Sequence, residues 1–277
     1  MGPLPVVRGP LPVFSQDHDH PPWAHVENPV VAPAIFNGPR TTDNGQRTTD
    51  KRTMQHGLFI TFEGLDGAGK STQLRRAVQY LRKCGHRVLV TREPGGTRTG
   101  ERIRDILLAS KTGKLAPLAE LALMYAARAQ LLEEVVRPAL ARGEVVVSDR
   151  YNTASFAYQG YGRELGTATV RAFDRVICGA TQPDLTIVLD LDPERALGRA
   201  RGDTRRRSRL DRIEAQGLVF HKRVRAGYLA LARAAPRRIK VVRADQSINE
   251  IQRQILALIE ALLARKVRNS KIETRKS

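Results

Sequence analysis

Cysteine, aromatic side chains, acidic residues and long apolar runs are all scarce in this chain of 277 residues. Its 2 cysteines, Cys84 and Cys178, cannot build a disulfide framework, which favours a reducing cytoplasmic location. No apolar run approaches the ~20 residues that a membrane-spanning helix needs, and the N-terminus has no basic stretch followed by an apolar one. We therefore expect a cytoplasmic protein with no secretory signal and no membrane partner.

Acidic residues are the scarcer charge, because 28 Asp and Glu face 47 Lys and Arg, which gives a formal net charge of +19. Such a balance predicts anionic partners but leaves nucleic acid, a membrane surface and phosphorylated small molecules open. The length suits one large domain or two small ones, with enough material for a sizeable core.

The two ends of the chain differ in character from its centre. Residues 1–56 are rich in proline, and their basic and acidic residues nearly balance, so the positive charge belongs to the rest of the chain. Such a segment predicts a disordered extension or sequence that precedes a start at Met54. Residues 265–277 predict a basic, disordered tail, which leaves 57–264 as the folded domain.

Regular structure is predicted from Gly57 onward, where short β-branched apolar runs alternate with longer helical patterns. Residues 118–142 predict a long helix with a kink at Pro138. Ser247 and Glu250 have the spacing of a capping box that opens the last helix. Strands that alternate with helices and are apolar on both faces predict an α/β fold with a parallel sheet. The expected strands are Leu58–Phe62, Val88–Thr91, Glu144–Ser148, Thr186–Leu191 and Ile239–Arg243.

A phosphate-binding loop comes directly after the first expected strand. Gly64–Ser71 (GLDGAGKS) matches the pattern G-x-x-x-x-G-K-[ST] and opens a helix. Glycines let backbone N–H groups surround phosphates, Lys70 can reach the β- and γ-phosphates, and the Ser71 hydroxyl can ligate Mg²⁺. The pattern predicts a nucleoside triphosphate site. Its residues are Gly64, Leu65, Asp66, Gly67, Ala68, Gly69, Lys70, Ser71 and Thr72.

The residues at the end of the third strand narrow the class of phosphate-loop protein. The sequence has no Asn-Lys-x-Asp, which a GTPase uses to read guanine. The strand ends in Asp149 and Arg150 and not in the adjacent acids of a helicase. One acid near a metal and one arginine near an acceptor phosphate suit a small kinase.

Five dispersed motifs resemble those of the bacterial thymidylate kinase family, in its order and at about its spacing. They are Phe62–Thr72 (FEGLDGAGKST), Thr91–Thr97 (TREPGGT), Tyr125–Arg128 (YAAR), Asp149–Tyr151 (DRY) and Ala157–Gly160 (AYQG). The resemblance covers residues 57–264. It implies a three-layer P-loop kinase fold, with a five-stranded parallel sheet, helices on both faces and a short Arg-rich lid at about 199–214. It also implies transfer of a phosphoryl group from ATP to thymidine 5′-monophosphate with Mg²⁺, by a homodimer.

The resemblance assigns roles to individual residues. Asp66 would meet the sugar hydroxyl, and Glu93 would lie near metal-bound water. The acceptor phosphate would be held by Arg104, Arg128 and Arg150, and thymine would be read by Ser155 and Gln159. The metal residues would be Ser71, Asp149 and Glu93, and the catalytic ones Lys70, Arg150 and one of the lid arginines Arg207, Arg209 and Arg212.

One position departs from the family pattern, because Met124 stands where the family usually has a phenylalanine that stacks on thymine. A thioether contacts an aromatic ring but cannot form a flat stack, so a weaker hold on the base is expected. Met124 remains the residue expected to face thymine.

Two alternatives stay open at this point. One is a kinase for another nucleoside monophosphate or for a deoxynucleoside, although the latter lacks the phosphate that three arginines are suited to hold. The other is a nucleic-acid-binding protein that uses the basic surface. Aromatic residues form only 5% of the chain and do not interleave with that charge, so nucleic acid is not expected as a specific partner.

Overall fold

A sheet of five parallel strands forms the centre of the computed structural model, which describes residues 57–109, 113–202, 211–213 and 215–273. The strand order is β2-β3-β1-β4-β5, so the first strand lies in the middle. The strands are β1 (Leu58–Gly64), β2 (Val88–Arg92), β3 (Val145–Asp149), β4 (Leu185–Asp190) and β5 (Ile239–Arg243). All five strands predicted from the sequence are confirmed, with ends that differ by no more than two residues.

Helices cover both faces of the sheet. They are α1 (Lys70–Lys83), α2 (Arg98–Leu108), α3 (Pro117–Leu131), α4 (Arg137–Ala141), α5 (Asn152–Ser155), α6 (Thr167–Ile177), α7 (Pro193–Gly202), α8 (Leu218–Ala234) and α9 (Ile248–Glu273). Alternate residues of β1 enter separate cores: Ile60 and Phe62 pack in one, and Phe59 packs in the other. Every residue of β1 is buried, so both faces of this strand are covered, as those of a central parallel strand must be. The α/β prediction is confirmed.

The helix expected at 118–142 contains an irregular turn just before its proline. A π-helical turn at Leu132–Val136 separates α3 from α4, and Pro138 comes shortly after it. Proline has no backbone N–H and crowds the carbonyl four residues earlier, so a widened turn is a usual way to accommodate it. A second π-helical turn, Phe156–Gly162, continues α5.

The last helix begins as the sequence predicts and extends further than expected. Glu250 N–H donates to Ser247 Oγ at 3.3 Å, and Ser247 N–H donates to Glu250 Oε2 at 2.9 Å, which is the predicted capping box. However, α9 continues to Glu273, so residues 265–273 extend the helix and do not form a separate tail. Within this extension, Lys266 Nζ donates to the Gly57 carbonyl at 2.7 Å, which connects α9 to the residue before β1.

Several expectations lie outside the described residues: the character of residues 1–56, the final residues 274–277 and most of the expected lid, namely 203–210 and 214. In the described part of the chain, no helix is both long enough and apolar enough to cross a membrane.

Candidate active site

The loop Gly64–Ser71 joins the carboxyl end of β1 to the N-terminus of α1. Gly67 has a φ of +83°, and a Cβ there would lie 2.1 Å from the Ala196 carbonyl oxygen, so the loop requires glycine. The first turn of α1 has no side-chain cap and no acidic residue, which leaves its backbone N–H groups suited to an anion.

Lys70 folds back across this loop. Its Nζ donates to the carbonyls of Gly64 and Leu65 at 3.2 and 3.1 Å, and to Asp66 Oδ1 at 3.2 Å. The side chain is only 7% exposed. The ammonium is therefore held at the loop that would surround the phosphates.

Arg150 lies directly after β3 and crosses to the same loop. Its Nη2 donates to both carboxylate oxygens of Asp66, at 2.9 and 3.0 Å, and its Nη1 donates to the Gly64 carbonyl at 3.0 Å. The guanidinium also lies 4.9 Å from the centre of the Tyr158 ring. The backbone φ of Arg150 is +71°, a strained value for an arginine and one that proteins keep mainly at functional positions.

Arg128, from α3, forms a buried ion pair with Glu93, which lies just after β2. Arg128 Nε donates to Glu93 Oε2 at 2.8 Å, and the two side chains are only 2% and 4% exposed. Burial raises the pKa of Glu93, against the opposing pull of Arg128. Arg128 Nη1 and Glu93 Oε1 are buried without a hydrogen-bond partner among the described residues. The pair thus has one donor and one acceptor left over.

Arg104, on α2, is the third of the arginines expected at an acceptor phosphate. Its Nη1 donates to the Pro94 carbonyl at 2.8 Å, next to Glu93 in the chain. Burial and the neighbouring charge of Arg92 lower its pKa from the usual value. An anion bound beside this guanidinium would oppose that shift.

The residues expected to read a base lie on two facing helical segments. Ser155 Oγ accepts a hydrogen bond from Arg128 Nη2 at 3.0 Å, and Gln159 Nε2 donates to Glu120 Oε1 at 2.9 Å. Met124 lies on α3 between Glu120 and Arg128 and is half-buried against the core. The structure therefore places all three expected base-site residues together.

The metal-ligand candidates are separate carboxylates and one hydroxyl, and not a cluster. No group of three or more His, Cys, Asp or Glu side chains is arranged to hold a metal within the described ranges. Asp149 Oδ1 is nevertheless buried without a hydrogen-bond partner among these residues, and Ser71 is exposed at the start of α1. This arrangement fits Mg²⁺, which keeps several waters and takes one or two carboxylates together with substrate phosphates.

The lid arginines are only partly described. Arg207 and Arg209 lie outside the described residues. Arg212 Nη2 donates to Glu120 Oε2 at 2.7 Å, and its Nε donates to the Leu107 carbonyl at 3.0 Å. The contacts described for Arg212 thus join the lid segment to α2 and α3.

Two buried residues of the site were missed by sequence reasoning. Glu63, in β1, accepts hydrogen bonds from the Tyr151 N–H at 2.9 Å and the Tyr228 hydroxyl at 2.8 Å. Burial raises its pKa to about 7, although Arg150 opposes the shift. The Tyr228 hydroxyl also accepts from Arg150 Nη1 at 3.2 Å, so it connects Glu63 to that arginine. A single acid in a buried strand was a usable signal for Glu63, whereas nothing local marks Tyr228.

Comparisons with known proteins point to one family. The profile of the thymidylate kinase family matches residues 62–255. The curated thymidylate kinase of Deinococcus radiodurans is 48% identical over 206 residues, which cover 74% of this chain and 98% of the relative. That of an Exiguobacterium species is 46% identical over 200 residues, covering 72% and 92%. The crystal structure of thymidylate kinase from Ehrlichia chaffeensis superposes with a TM-score of 0.59 at 29% identity, covering 74% of this chain and 98% of that one.

Proposed function

The chain belongs to the thymidylate kinase family, and on that premise we propose that it transfers the γ-phosphoryl group of ATP to thymidine 5′-monophosphate (dTMP). A phosphate oxygen of dTMP forms a bond to the γ-phosphorus, the bond from that phosphorus to the β,γ-bridging oxygen breaks, and ADP and thymidine 5′-diphosphate leave. The observation that carries the proposal is that Arg150 crosses to the phosphate-binding loop, where it and Lys70 both contact Asp66, while the buried Arg128 has a spare donor.

The donor site in this proposal is the loop Gly64–Ser71. Its N–H groups and the N-terminus of α1 would hold the ATP phosphates, and Lys70 would move from the loop carbonyls to the β- and γ-phosphates. Ser71 and Asp149 would hold Mg²⁺, which neutralises part of the phosphate charge when it is bound. Glu93 would lie near metal-bound water, where its spare Oε1 could accept a hydrogen bond while Oε2 stays with Arg128.

The acceptor site in this proposal uses the spare donors of the arginines. Arg128 has a buried Nη1 with no described partner, and that group would donate to the dTMP phosphate. Arg150 would share its donors between Asp66 and the phosphate, and Arg104 would add charge from α2. A planar guanidinium orients a phosphate better than an ammonium does, and positioning is most of what phosphoryl transfer requires.

The lid would supply charge to the phosphoryl group in transfer. Arg212 is engaged with Glu120, which is fully buried, and withdrawing one partner from a buried pair is costly. We therefore assign the transfer role to Arg207 or Arg209 and a holding role to Arg212. The homodimer is likewise proposed from the family resemblance, and sedimentation of the intact protein tests it.

A coupled assay that monitors ADP release from ATP tests this function. The purified full chain is supplied with dTMP, dUMP, dCMP, AMP or unphosphorylated thymidine. We expect dTMP to give the highest kcat/KM and thymidine to give none, because thymidine has no phosphate for the arginines. Equal turnover of thymidine, or no turnover of dTMP, would contradict the proposal.

A matched pair of variants links the activity to the site. Arg150→Ala removes a guanidinium that contacts the phosphate loop, and we expect loss of most dTMP turnover. Arg137→Ala removes an exposed guanidinium of α4 whose carboxylate partner is the exposed Glu133, and we expect wild-type rates. Equal rates in the two variants would remove Arg150 from the mechanism.

A further inference from the structure

Glu120, in the first turn of α3, is a fully buried carboxylate that joins three segments of the chain. Its Oε1 accepts hydrogen bonds from Gln159 Nε2 at 2.9 Å and Arg163 Nε at 3.2 Å. Its Oε2 accepts from Arg163 Nη2 at 3.1 Å and Arg212 Nη2 at 2.7 Å. The reaction proposed above uses this residue only to hold Arg212.

These hydrogen bonds keep Glu120 ionised, and an ionised carboxylate can only accept hydrogen bonds. Burial alone would raise the pKa of this carboxyl, but donors from Arg163 and Gln159 lower it below its usual value. The group is therefore a carboxylate at neutral pH, with two acceptor oxygens and no donor. Any polar group that faces this carboxylate must therefore be a hydrogen-bond donor.

This requirement fixes the orientation of the Gln159 amide. A side-chain amide has a donating and an accepting end that are nearly equal in size, so its environment must choose between them. Against a carboxylate only the Nε2 end can face inward. The Gln159 carbonyl oxygen, Oε1, is consequently turned the other way.

Gln159 lies where the base of the acceptor nucleotide is expected. Ser155 and Gln159 are four residues apart on one helical segment, and on α3 their partners, Arg128 and Glu120, lie on either side of Met124. Residues four apart share a helix face, so the two hydrogen bonds connect the facing segments on either side of Met124. In the proposed function, this is where thymine would lie.

We propose that Glu120 is a positioning residue for base selection, which orients the Gln159 amide so that its carbonyl oxygen accepts a hydrogen bond from the base N3–H. Thymine and uracil carry a hydrogen at N3, whereas cytosine has a lone pair there. An amide held in the opposite orientation would favour cytosine. This inference rests on the proposed function and adds to it the means by which pyrimidine monophosphates are told apart.

The same carboxylate ties base selection to the lid. Arg212 lies in the segment expected to cover the active site, and both its Nη2 and its backbone N–H are bound, to Glu120 and to the Leu108 carbonyl. Gln216 adds a link, since its Nε2 donates to the Arg212 carbonyl and its Oε1 accepts from Arg163. Glu120 therefore holds the base-reading amide and the end of the lid at one point.

Glu120→Gln tests the inference with little change in size. A glutamine at this position can present either a donor or an acceptor, so the Gln159 amide is no longer forced into one orientation. The measurement is kcat/KM for dTMP divided by kcat/KM for dCMP, in the full chain. We expect this ratio to fall about tenfold, roughly the effect of one hydrogen bond, with the KM for ATP changing less than twofold.

Glu133→Gln is the matched control, because Glu133 lies just after α3 but is exposed, and its ion pair is with the exposed Arg137. It should keep the wild-type ratio. If Glu120→Gln lowers both kcat/KM values equally and keeps the ratio, the residue has only a structural role and the inference is overturned. A wild-type protein with no dTMP turnover would instead overturn the proposed function itself.

A second variant serves if Glu120→Gln lowers the thermal midpoint below the assay temperature. Gln159→Met removes the amide and leaves the carboxylate with both of its arginines. It must also lose discrimination between dTMP and dCMP, and retained discrimination would overturn the inference. Where both variants fold, the double variant should show no further loss of the ratio, because both changes remove the same hydrogen bond.

Discussion

Replacement of Arg128 by methionine isolates the charge of the buried pair with Glu93. Methionine keeps much of the length of the arginine stem but leaves the Glu93 carboxylate, only 4% exposed, without its cation. Breaking a buried pair in this way costs about 3–5 kcal/mol. Loss of the guanidinium over the Tyr125 ring, 4.4 Å from its centre, adds about 1 kcal/mol.

The stability of the Arg128→Met variant depends on pH because Glu93, without its cation, can become neutral by binding a proton. From its ordinary pKa of 4.5, neutralising it costs at most about 4 kcal/mol at pH 7.5 and about 0.7 kcal/mol at pH 5. Because the folded variant binds this proton more tightly than the unfolded chain does, its stability falls as the pH rises above 4.5. The loss of unfolding free energy relative to wild type should therefore be up to about 3 kcal/mol larger at pH 7.5 than at pH 5. The part due to the lost contact with Tyr125 and the lost hydrogen bonds to Tyr151 and Ser155 should be the same at both pH values.

Urea unfolding monitored by circular dichroism, at pH values from 5 to 8, measures this difference in the full chain. Glu63, whose pKa burial raises to about 7, titrates in both proteins and cancels from the comparison. The control is the double variant Arg128→Met with Glu93→Gln, which has no charge left to bury. It should be more stable than the single variant at pH 7.5 and should not show the extra pH dependence. A loss in the single variant that is equal at pH 5 and pH 7.5 would refute the electrostatic reasoning.

Three further outcomes are expected from kinetics. Lys70→Ala should abolish turnover without shifting the thermal midpoint, since the described contacts of the ammonium lie within the phosphate loop; activity within a few-fold of wild type would remove it from the mechanism. Loss of Arg207 or Arg209 should lower kcat more than it raises KM, by about 10³-fold for the one that contacts the transferring group, whereas Arg212→Ala should act mainly on the KM for dTMP. Met124→Phe should lower the KM for dTMP by a stacking gain of about 0.5–1.5 kcal/mol and leave that for ATP unchanged; a higher KM would show that the pocket is shaped around methionine.

The parts of the fold that sequence patterns predicted are those fixed by neighbours in the chain. The first strand was predicted from the largely apolar run Leu58–Phe62, and the phosphate-binding loop after it has its glycines and its lysine at set spacings. The capping box of α9 involves two residues three positions apart. In each case the physical cause is local, so a short stretch of sequence contains it.

The parts that sequence reasoning missed depend on contacts across the chain. Glu120 meets its partners Gln159, Arg163 and Arg212 at separations of 39, 43 and 92 residues. Its sequence context, an acid in the first turn of a helix, is also what an ordinary exposed helix start looks like. Only the fold shows that this acid is buried and what it holds. The contact of α9 with the start of β1 is of the same kind, since Lys266 and Gly57 are 209 residues apart.

The arginines of the active site also limit what the net charge of +19 can explain. Arg128, which is buried, and Arg150, which is half-buried, are each paired with a carboxylate of the protein itself, Glu93 and Asp66. Their charge is therefore largely compensated inside the protein, and an uncompensated guanidinium could not have been buried there. Affinity for a phosphate must then come from donors with fixed directions, such as Arg128 Nη1, and not from excess charge at the site.

The basic surface attracts anionic substrates from a distance and is screened by salt. Added salt should accordingly weaken capture of both nucleotides while leaving the preference for dTMP over dCMP unchanged.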